Sequence, residues 1–128
     1  MQIHQSAEDY LETILMLSQR MGKVRSIDVV NELGFTKASV SIAMKKLREN
    51  GYIAVDGEGN LTLLEPGREI AERIYSRHRL LTHFFVQLGV DEEVAAEDAC
   101  KAEHILSEQT LEKIREYALL HDAQDSVK

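Results

Sequence analysis

The sequence lacks a long apolar segment, a signal peptide and a pair of cysteines, which are features of membrane and secreted proteins. It has no run of about 18 apolar residues. Its N-terminus, MQIHQSAEDY, has neither the basic start nor the apolar segment of a signal peptide. The single cysteine, Cys100, cannot form an internal disulfide. We therefore expect a cytoplasmic protein without a membrane partner, in which Cys100 is either a small buried residue or a thiolate ligand.

The charge of the chain is negative in sum and uneven in distribution. The 128 residues are 44% hydrophobic, enough to bury one ordinary core or two small ones. A net charge of −7 argues against a uniformly basic nucleic-acid binder. However, lysines and arginines cluster before residue 50, and acidic residues crowd 91–116. One half could therefore face phosphate and the other half cations.

Three helices are predicted before residue 50. Apolar residues recur at helical spacing up to a break at Gly22. A second, short helix begins near Ser26, a good N-cap, and ends at Gly34. Thr36 can cap a third helix, which Gly51 stops. A helix, a tight glycine turn and a second helix form the helix-turn-helix pattern.

The third helix has a polar, basic face beside its apolar stripe of Val40, Met44 and Leu47. Small residues allow close approach, hydroxyls can bond base edges or phosphates, and lysines neutralise phosphate. This face is typical of a recognition helix in the major groove, although exposed lysines and serines also occur as ordinary solvated surface. The predicted DNA-binding residues are Ser26, Thr36, Lys37, Ala38, Ser39, Ser41, Lys45 and Lys46.

A predicted β-hairpin follows the third helix. The β-type runs at 52–55 and 61–63 are joined by a glycine-rich turn, which together predict a wing. Asp56 and Glu58 near its tip are unfavourable beside phosphate, so we expect the wing to add little affinity. Residues 1–65 are therefore predicted to be a winged helix-turn-helix DNA-binding domain.

Residues 66–128 are predicted to be an all-α dimerisation domain, which makes the fold mainly α with a small β-hairpin. A long linker helix covers about 66–88, a second helix capped by Asp91 continues through Leu106, and a last helix covers about 110–120. Two apolar helices attached to a DNA-reading module would scarcely bury their surface alone. We therefore expect a symmetric homodimer that reads a palindromic double-stranded operator.

Three types of metal-ligating side chain follow one another near residue 100: Cys100, Glu103 and His104. At positions i, i+3 and i+4 of one predicted helix they share a face. A helix alone rarely completes a metal site. Asp9 and Glu12, another i, i+3 pair, are candidate further ligands, and so is His78 on the long helix. The alternative is that the cysteine belongs to the core and the others are solvated.

The whole chain resembles the diphtheria toxin repressor and manganese transport regulator family of metal-dependent repressors, in its short form. The resemblance is carried by the segments SAEDYLE at 6–12, TKASVS at 36–41, RHRLL at 77–81 and DACKAEH at 98–104. It implies a dimeric repressor that binds a divalent ion between its two domains and then binds operators of metal-uptake genes. By position, it implies the metal ligands Asp9, Glu12, His78, Cys100, Glu103 and His104.

The ligand pattern of this chain is mixed between two branches of that family. At the position of Asp9 the manganese branch has Asp and the iron branch has Met; at the position of Cys100 they have Glu and Cys. Oxygen ligands favour manganese, whereas a thiolate favours iron, cobalt or zinc. We expect Mn(II) or Fe(II), with Zn(II) and Co(II) as alternatives and either one or two ions per subunit.

Two other functions fit parts of the sequence. One is a metal-independent winged-helix regulator that responds to a small molecule. The other is a zinc metalloenzyme built on Cys100 and His104, but the sequence offers no evident substrate cleft, nucleophile motif or separate general base. We therefore expect neither an enzyme nor a small-molecule substrate.

Overall fold

The computed structural model describes residues 5–127, and the side chains of residues 5–122. The described residues are mainly helical with a small sheet, which confirms the predicted fold class. Their elements are α1 (Gln5–Met21), β1 (Val24–Arg25), α2 (Ser26–Leu33), α3 (Lys37–Glu49), β2 (Ile53–Val55), β3 (Asn60–Leu63), α4 (Glu65–Gln87), α5 (Glu92–Ala102) and α6 (Glu108–Val127). Among them, no helix combines the length and hydropathy needed to cross a membrane.

The backbone divides into two compact units, Met1–Arg73 and Ile74–Lys128, with the boundary inside α4. The core of the first unit is built by the apolar stripes of its helices and by the inner face of its sheet. Leu11, Ile14 and Val29 are completely buried. The predicted stripe of α3 is also buried: Val40, Met44 and Leu47. This packing fixes α3 by one face and leaves the opposite face exposed.

The turn between α2 and α3 matches the prediction. Gly34 adopts a left-handed conformation, with φ of 73°, and its N–H donates to the carbonyl of Val30. A left-handed residue here favours glycine because it has no Cβ. Thr36 then caps α3, since its hydroxyl oxygen accepts a hydrogen bond from the N–H of Ser39 at 3.1 Å. These two caps set where α3 begins.

The sheet and the start of α2 differ from the sequence prediction. The wing is part of a three-stranded antiparallel sheet in the order β1-β3-β2, because Val24 pairs with Leu61 and Arg25 with Asn60. This pairing keeps Arg25 extended, so Arg25 and not Ser26 is the N-cap of α2. The N–H of Arg25 donates to Asp28 Oδ2 at 2.9 Å. The prediction of Ser26 as N-cap was therefore wrong.

The second unit has its own small core, formed where α4, α5 and α6 meet. Leu81, Ala99 and Leu111 are buried there, packed by Leu80, Phe85, Ala102, Leu106 and Ile114. The predicted helix through Leu106 was too long, because α5 ends at Ala102. Beyond it, the N–H of Ile105 bonds the Ala102 carbonyl three residues back, which tightens the chain into a turn. The last helix was predicted too short, since α6 covers Glu108–Val127.

Gly67, in the first turn of α4, packs directly against the backbone of the segment before the wing. A Cβ built at Gly67 would lie 2.2 Å from the carbonyl oxygen of Tyr52. That carbonyl also accepts the N–H of Leu64 at 3.0 Å, so it cannot easily move. The absence of a side chain at Gly67 therefore sets how closely α4 packs against the wing.

Gly67→Ala is expected to lower the free energy of unfolding by at least about 1 kcal/mol, because overpacking against backbone outweighs the helix propensity of alanine. Chemical denaturation with and without the substitution measures this. Gly57→Ala is the matched control, since a Cβ at Gly57 would meet no atom within 4 Å. Equal stability of the two variants would contradict the close packing.

Candidate functional site

Three predicted metal ligands meet within the second unit. His78 lies on α4, Cys100 lies in the last turn of α5, and Glu103 immediately follows that helix. His78 Nδ1 is 2.9 Å from Glu103 Oε2. One ligand atom from each of the three side chains lies within 4.8 Å of the other two. The three residues are therefore close enough to share one ion.

The burial of these side chains separates them from an ordinary surface cluster. Glu103 is 0% exposed, although a carboxylate is normally found at the surface. Cys100 is exposed, which contradicts the alternative of a small residue in the core. A carboxylate is buried at low cost only when it is paired, hydrogen-bonded or bound to a metal. The burial of Glu103 therefore requires the partners that surround it.

His104 lies on the other side of the same carboxylate. Its Nε2 is 3.4 Å from Glu103 Oε1, and its side chain is 2% exposed. The two oxygens of Glu103 thus each face a different imidazole. Glu103 and His104 lie in the turn after α5 and not on the helix, so the prediction of one helical face for the three-residue motif was wrong. The tightened turn still keeps the motif together.

Asp9 and Glu12 belong to the first unit, where they lie one turn apart on α1. Glu12 is 5% exposed, which is unusual for a glutamate. Asp9 is half-buried. Their membership of the same ion site as the second-unit residues stays a prediction.

Arg77 is a residue that the sequence reasoning missed. Its Nη1 donates to the backbone carbonyl of Glu103 at 3.2 Å, and its Nη2 forms an ion pair with Glu108 in the first turn of α6. The Arg77 side chain is only 15% exposed. It therefore holds the turn that carries Glu103 and His104. No local spacing signals this role, because its partners are more than 20 residues away along the chain.

The chemistry of the donors fits a divalent transition metal. An imidazole nitrogen, a thiol and a carboxylate are the ligand types that first-row metals take in proteins. The buried carboxylate of Glu103, between His78 and His104, offers the negative charge that such an ion requires. The residues present therefore fit the metal that the sequence resemblance implies.

The predicted DNA-contacting residues lie on and before α3 in the first unit. All are exposed except Ser26, which is half-buried at the start of α2; the exposed ones are Thr36, Lys37, Ala38, Ser39, Ser41, Lys45 and Lys46. Those on α3 lie outside its buried stripe. An exposed, basic helix with small residues has the shape and charge needed to enter a major groove.

Asp56 at the wing tip accepts hydrogen bonds from the residues of its own turn. Asp56 Oδ1 accepts the N–H groups of Glu58 and Asn60, each at 2.9 Å, and its Oδ2 accepts the side-chain amide of Asn60 at 3.0 Å. These hydrogen bonds, chiefly those from Asn60, hold the pKa of Asp56 below its usual range. Asp56 therefore organises the turn between β2 and β3 as a fixed negative charge.

Comparison with protein families accounts for nearly the whole chain. Residues 2–61 match the family model of the iron dependent repressor N-terminal DNA binding domain. Residues 64–120 match that of the iron dependent repressor metal binding and dimerisation domain. Each half of the chain thus matches the domain type that its own residues predict.

Individual relatives agree with these matches. The chain is 36% identical over 113 residues to an uncharacterized HTH-type transcriptional regulator of Methanocaldococcus jannaschii, covering 87% of this chain and 90% of that protein. It is 32% identical over 123 residues to the HTH-type transcriptional regulator MntR of Bacillus subtilis, covering 96% and 87%.

Solved structures share the fold. A manganese-dependent transcriptional repressor in complex with manganese superimposes with a TM-score of 0.79 and 30% identity, over 88% of this chain and 52% of that one. IdeR of T. acidophilum superimposes with a TM-score of 0.80 at 23% identity, over 91% of this chain and 55% of that one. The chain spans about half the length of these proteins. It belongs to the diphtheria toxin repressor and manganese transport regulator family of metal-dependent transcriptional repressors.

Proposed function

We propose that this chain is a cytoplasmic, Mn(II)- or Fe(II)-dependent repressor of metal-uptake genes. The observation that carries the proposal is the buried carboxylate of Glu103, flanked by His78 and His104 and close to Cys100. The similar solved structure of a manganese-dependent transcriptional repressor supports manganese as the ion. The family consists of transcriptional repressors, so no enzymatic activity is proposed.

The proposed ligand set draws on both halves of the chain: Asp9, Glu12, His78, Cys100, Glu103 and His104. When bound, the ion would supply the positive charge that allows these acidic side chains to share one site. Without that charge, the carboxylates of Asp9, Glu12 and Glu103 repel one another, and conformations that bring them together are less populated. The ligands thereby couple metal binding to the population that is competent to bind DNA.

The proposed DNA reader is α3 of the 1–65 domain. Lys37, Lys45 and Lys46 neutralise phosphate, and the small residues Ala38 and Ser39 allow the helix to approach base edges. Because phosphate contacts release counterions, binding should weaken as salt rises. The internal hydrogen bonds of Asp56 support a wing that adds little affinity.

The 66–128 domain is proposed to form a symmetric homodimer. Several large apolar side chains of the second unit are exposed: Val86, Leu88, Val94, Ile105, Leu119 and Leu120. An apolar surface of this kind is typical of an interface between subunits. Two recognition helices related by a two-fold axis would read a palindromic operator with half-sites about one helical turn apart.

Glu103→Gln tests the proposed ligand set. An operator is first selected from a random duplex library with the wild-type chain and Mn(II), and gel shifts then measure binding as Mn(II) is raised. The variant is expected to need more than about tenfold more Mn(II), because it lacks the buried negative charge. Glu97→Gln, an exposed acid on α5, is the matched control. An unchanged Mn(II) dependence of the Glu103 variant would refute the scheme.

Cys100→Ser tests the contribution of sulfur to metal choice. The chain has one cysteine, so any sulfur-to-cobalt charge-transfer absorption in the Co(II) form must come from Cys100. The variant is expected to lose this absorption and to lose more affinity for Zn(II) and Co(II) than for Mn(II), since thiolates favour the softer ions. Identical absorption spectra of wild type and variant would remove Cys100 from the ligand set.

Arg77→Ala tests whether Arg77 positions the ligand turn. We expect about tenfold weaker Mn(II) binding by the folded protein, measured well below its thermal transition. Arg115→Ala is the control, because Arg115 is exposed and forms a surface ion pair with Glu112, three residues away on α6. A loss of stability without a loss of Mn(II) affinity would show that Arg77 only supports the fold.

A further inference from the structure

One large apolar side chain lies on the exposed face of α3. Ile42 is 58% exposed, whereas Val40 and Met44 on the same helix are buried. Its neighbours at helical spacing are Ala38 and Lys46, four residues before and after it. Ile42 is therefore at the middle of the surface that is proposed to meet DNA. It takes no part in the apolar stripe that holds α3 in the fold.

The other side chains on this face are poor at distinguishing bases. Specific recognition of guanine or adenine commonly uses the paired hydrogen bonds of Arg, Lys, Asn or Gln. Of these four types, residues 37–47 contain only lysine. Serines bond to several bases, and lysine lacks the rigid fork of donors with which arginine binds guanine. Hydrogen bonds from this stretch of α3 can therefore recognise guanine through lysine, but they do not recognise the methyl group of thymine.

An apolar contact meets one feature of the major groove. The C5-methyl of thymine is the apolar group that base pairs present there, and apolar side chains recognise it by packing. Ala38 and Ser39 are small and exposed, so the backbone near Ile42 can come close to the base edges. We propose that Ile42 is a specificity-determining residue that packs against a thymine methyl in each operator half-site. This inference rests on the proposed DNA-binding function.

Isolated exposed isoleucines also occur without a function, and α2 provides one for comparison. Ile27 is 43% exposed in the same unit, but it lies outside the recognition helix. If only exposed apolar surface mattered, Ile42→Ala and Ile27→Ala would change the affinity for DNA equally. If Ile42 contacts a thymine methyl, only Ile42→Ala changes the dependence of that affinity on the methyl group.

The test replaces thymine by deoxyuridine, which differs only in lacking the C5-methyl. The operator selected from a random library with Mn(II) is resynthesised with deoxyuridine at one thymine per half-site in turn. Fluorescence anisotropy measures the Kd of the wild-type, Ile42→Ala and Ile27→Ala chains for each duplex at fixed salt. Alanine favours the helical conformation, so α2 and α3 should both form in these variants.

For wild type, we expect one position at which the substitution weakens binding about fourfold per half-site, as expected for one buried methyl group. Ile42→Ala should bind the thymine and deoxyuridine duplexes equally, and Ile27→Ala should keep the wild-type difference. If no thymine of the operator shows a methyl effect that depends on Ile42, this inference alone is overturned. Failure to select any DNA with Mn(II) would overturn the proposed function as well.

Discussion

The buried carboxylate of Glu103 is the constraint on which the second unit depends. A charged group without water needs partners, and two imidazoles supply them: His78 from α4 and His104 from the same turn. Arg77, also on α4, holds the backbone carbonyl of Glu103. These contacts hold the end of α5 against α4 and the start of α6. A structural role and a metal-binding role therefore coincide in one short turn, and a ligand there can act on the position of three helices.

The first unit needs no such ligand to build its reading surface. α3 is held by its buried stripe and by the cap at Thr36, both of which come from within Met1–Arg73. The exposed face is thus formed by packing and capping within the first unit. In the proposed function, metal therefore does not determine whether α3 folds. It raises the population of dimers whose two recognition helices are positioned to fit one operator. The residues that read bases and those that sense metal can then vary independently.

The sequence predicts helices and caps best where the signal is local. Gly34 and Thr36 define the turn before α3, and the apolar stripes identify the buried faces. β1 could not be predicted, since two residues show no period and pair only through Leu61 and Asn60. Because of that pairing, the N-cap of α2 is Arg25 and not the predicted Ser26. The end of α5 lacks a glycine or proline signal, and the bond from Arg77 to Glu103 joins residues 26 apart. These features depend on tertiary contacts.

In the proposed function, metal binding and operator binding are coupled. Two titrations measure this coupling: the Kd for the selected operator at rising free Mn(II), and the Kd for Mn(II) with and without that operator. We expect Mn(II) to tighten operator binding by at least about tenfold and the operator to tighten Mn(II) binding by the same factor. Equal operator affinity in chelator and in saturating Mn(II) would contradict it.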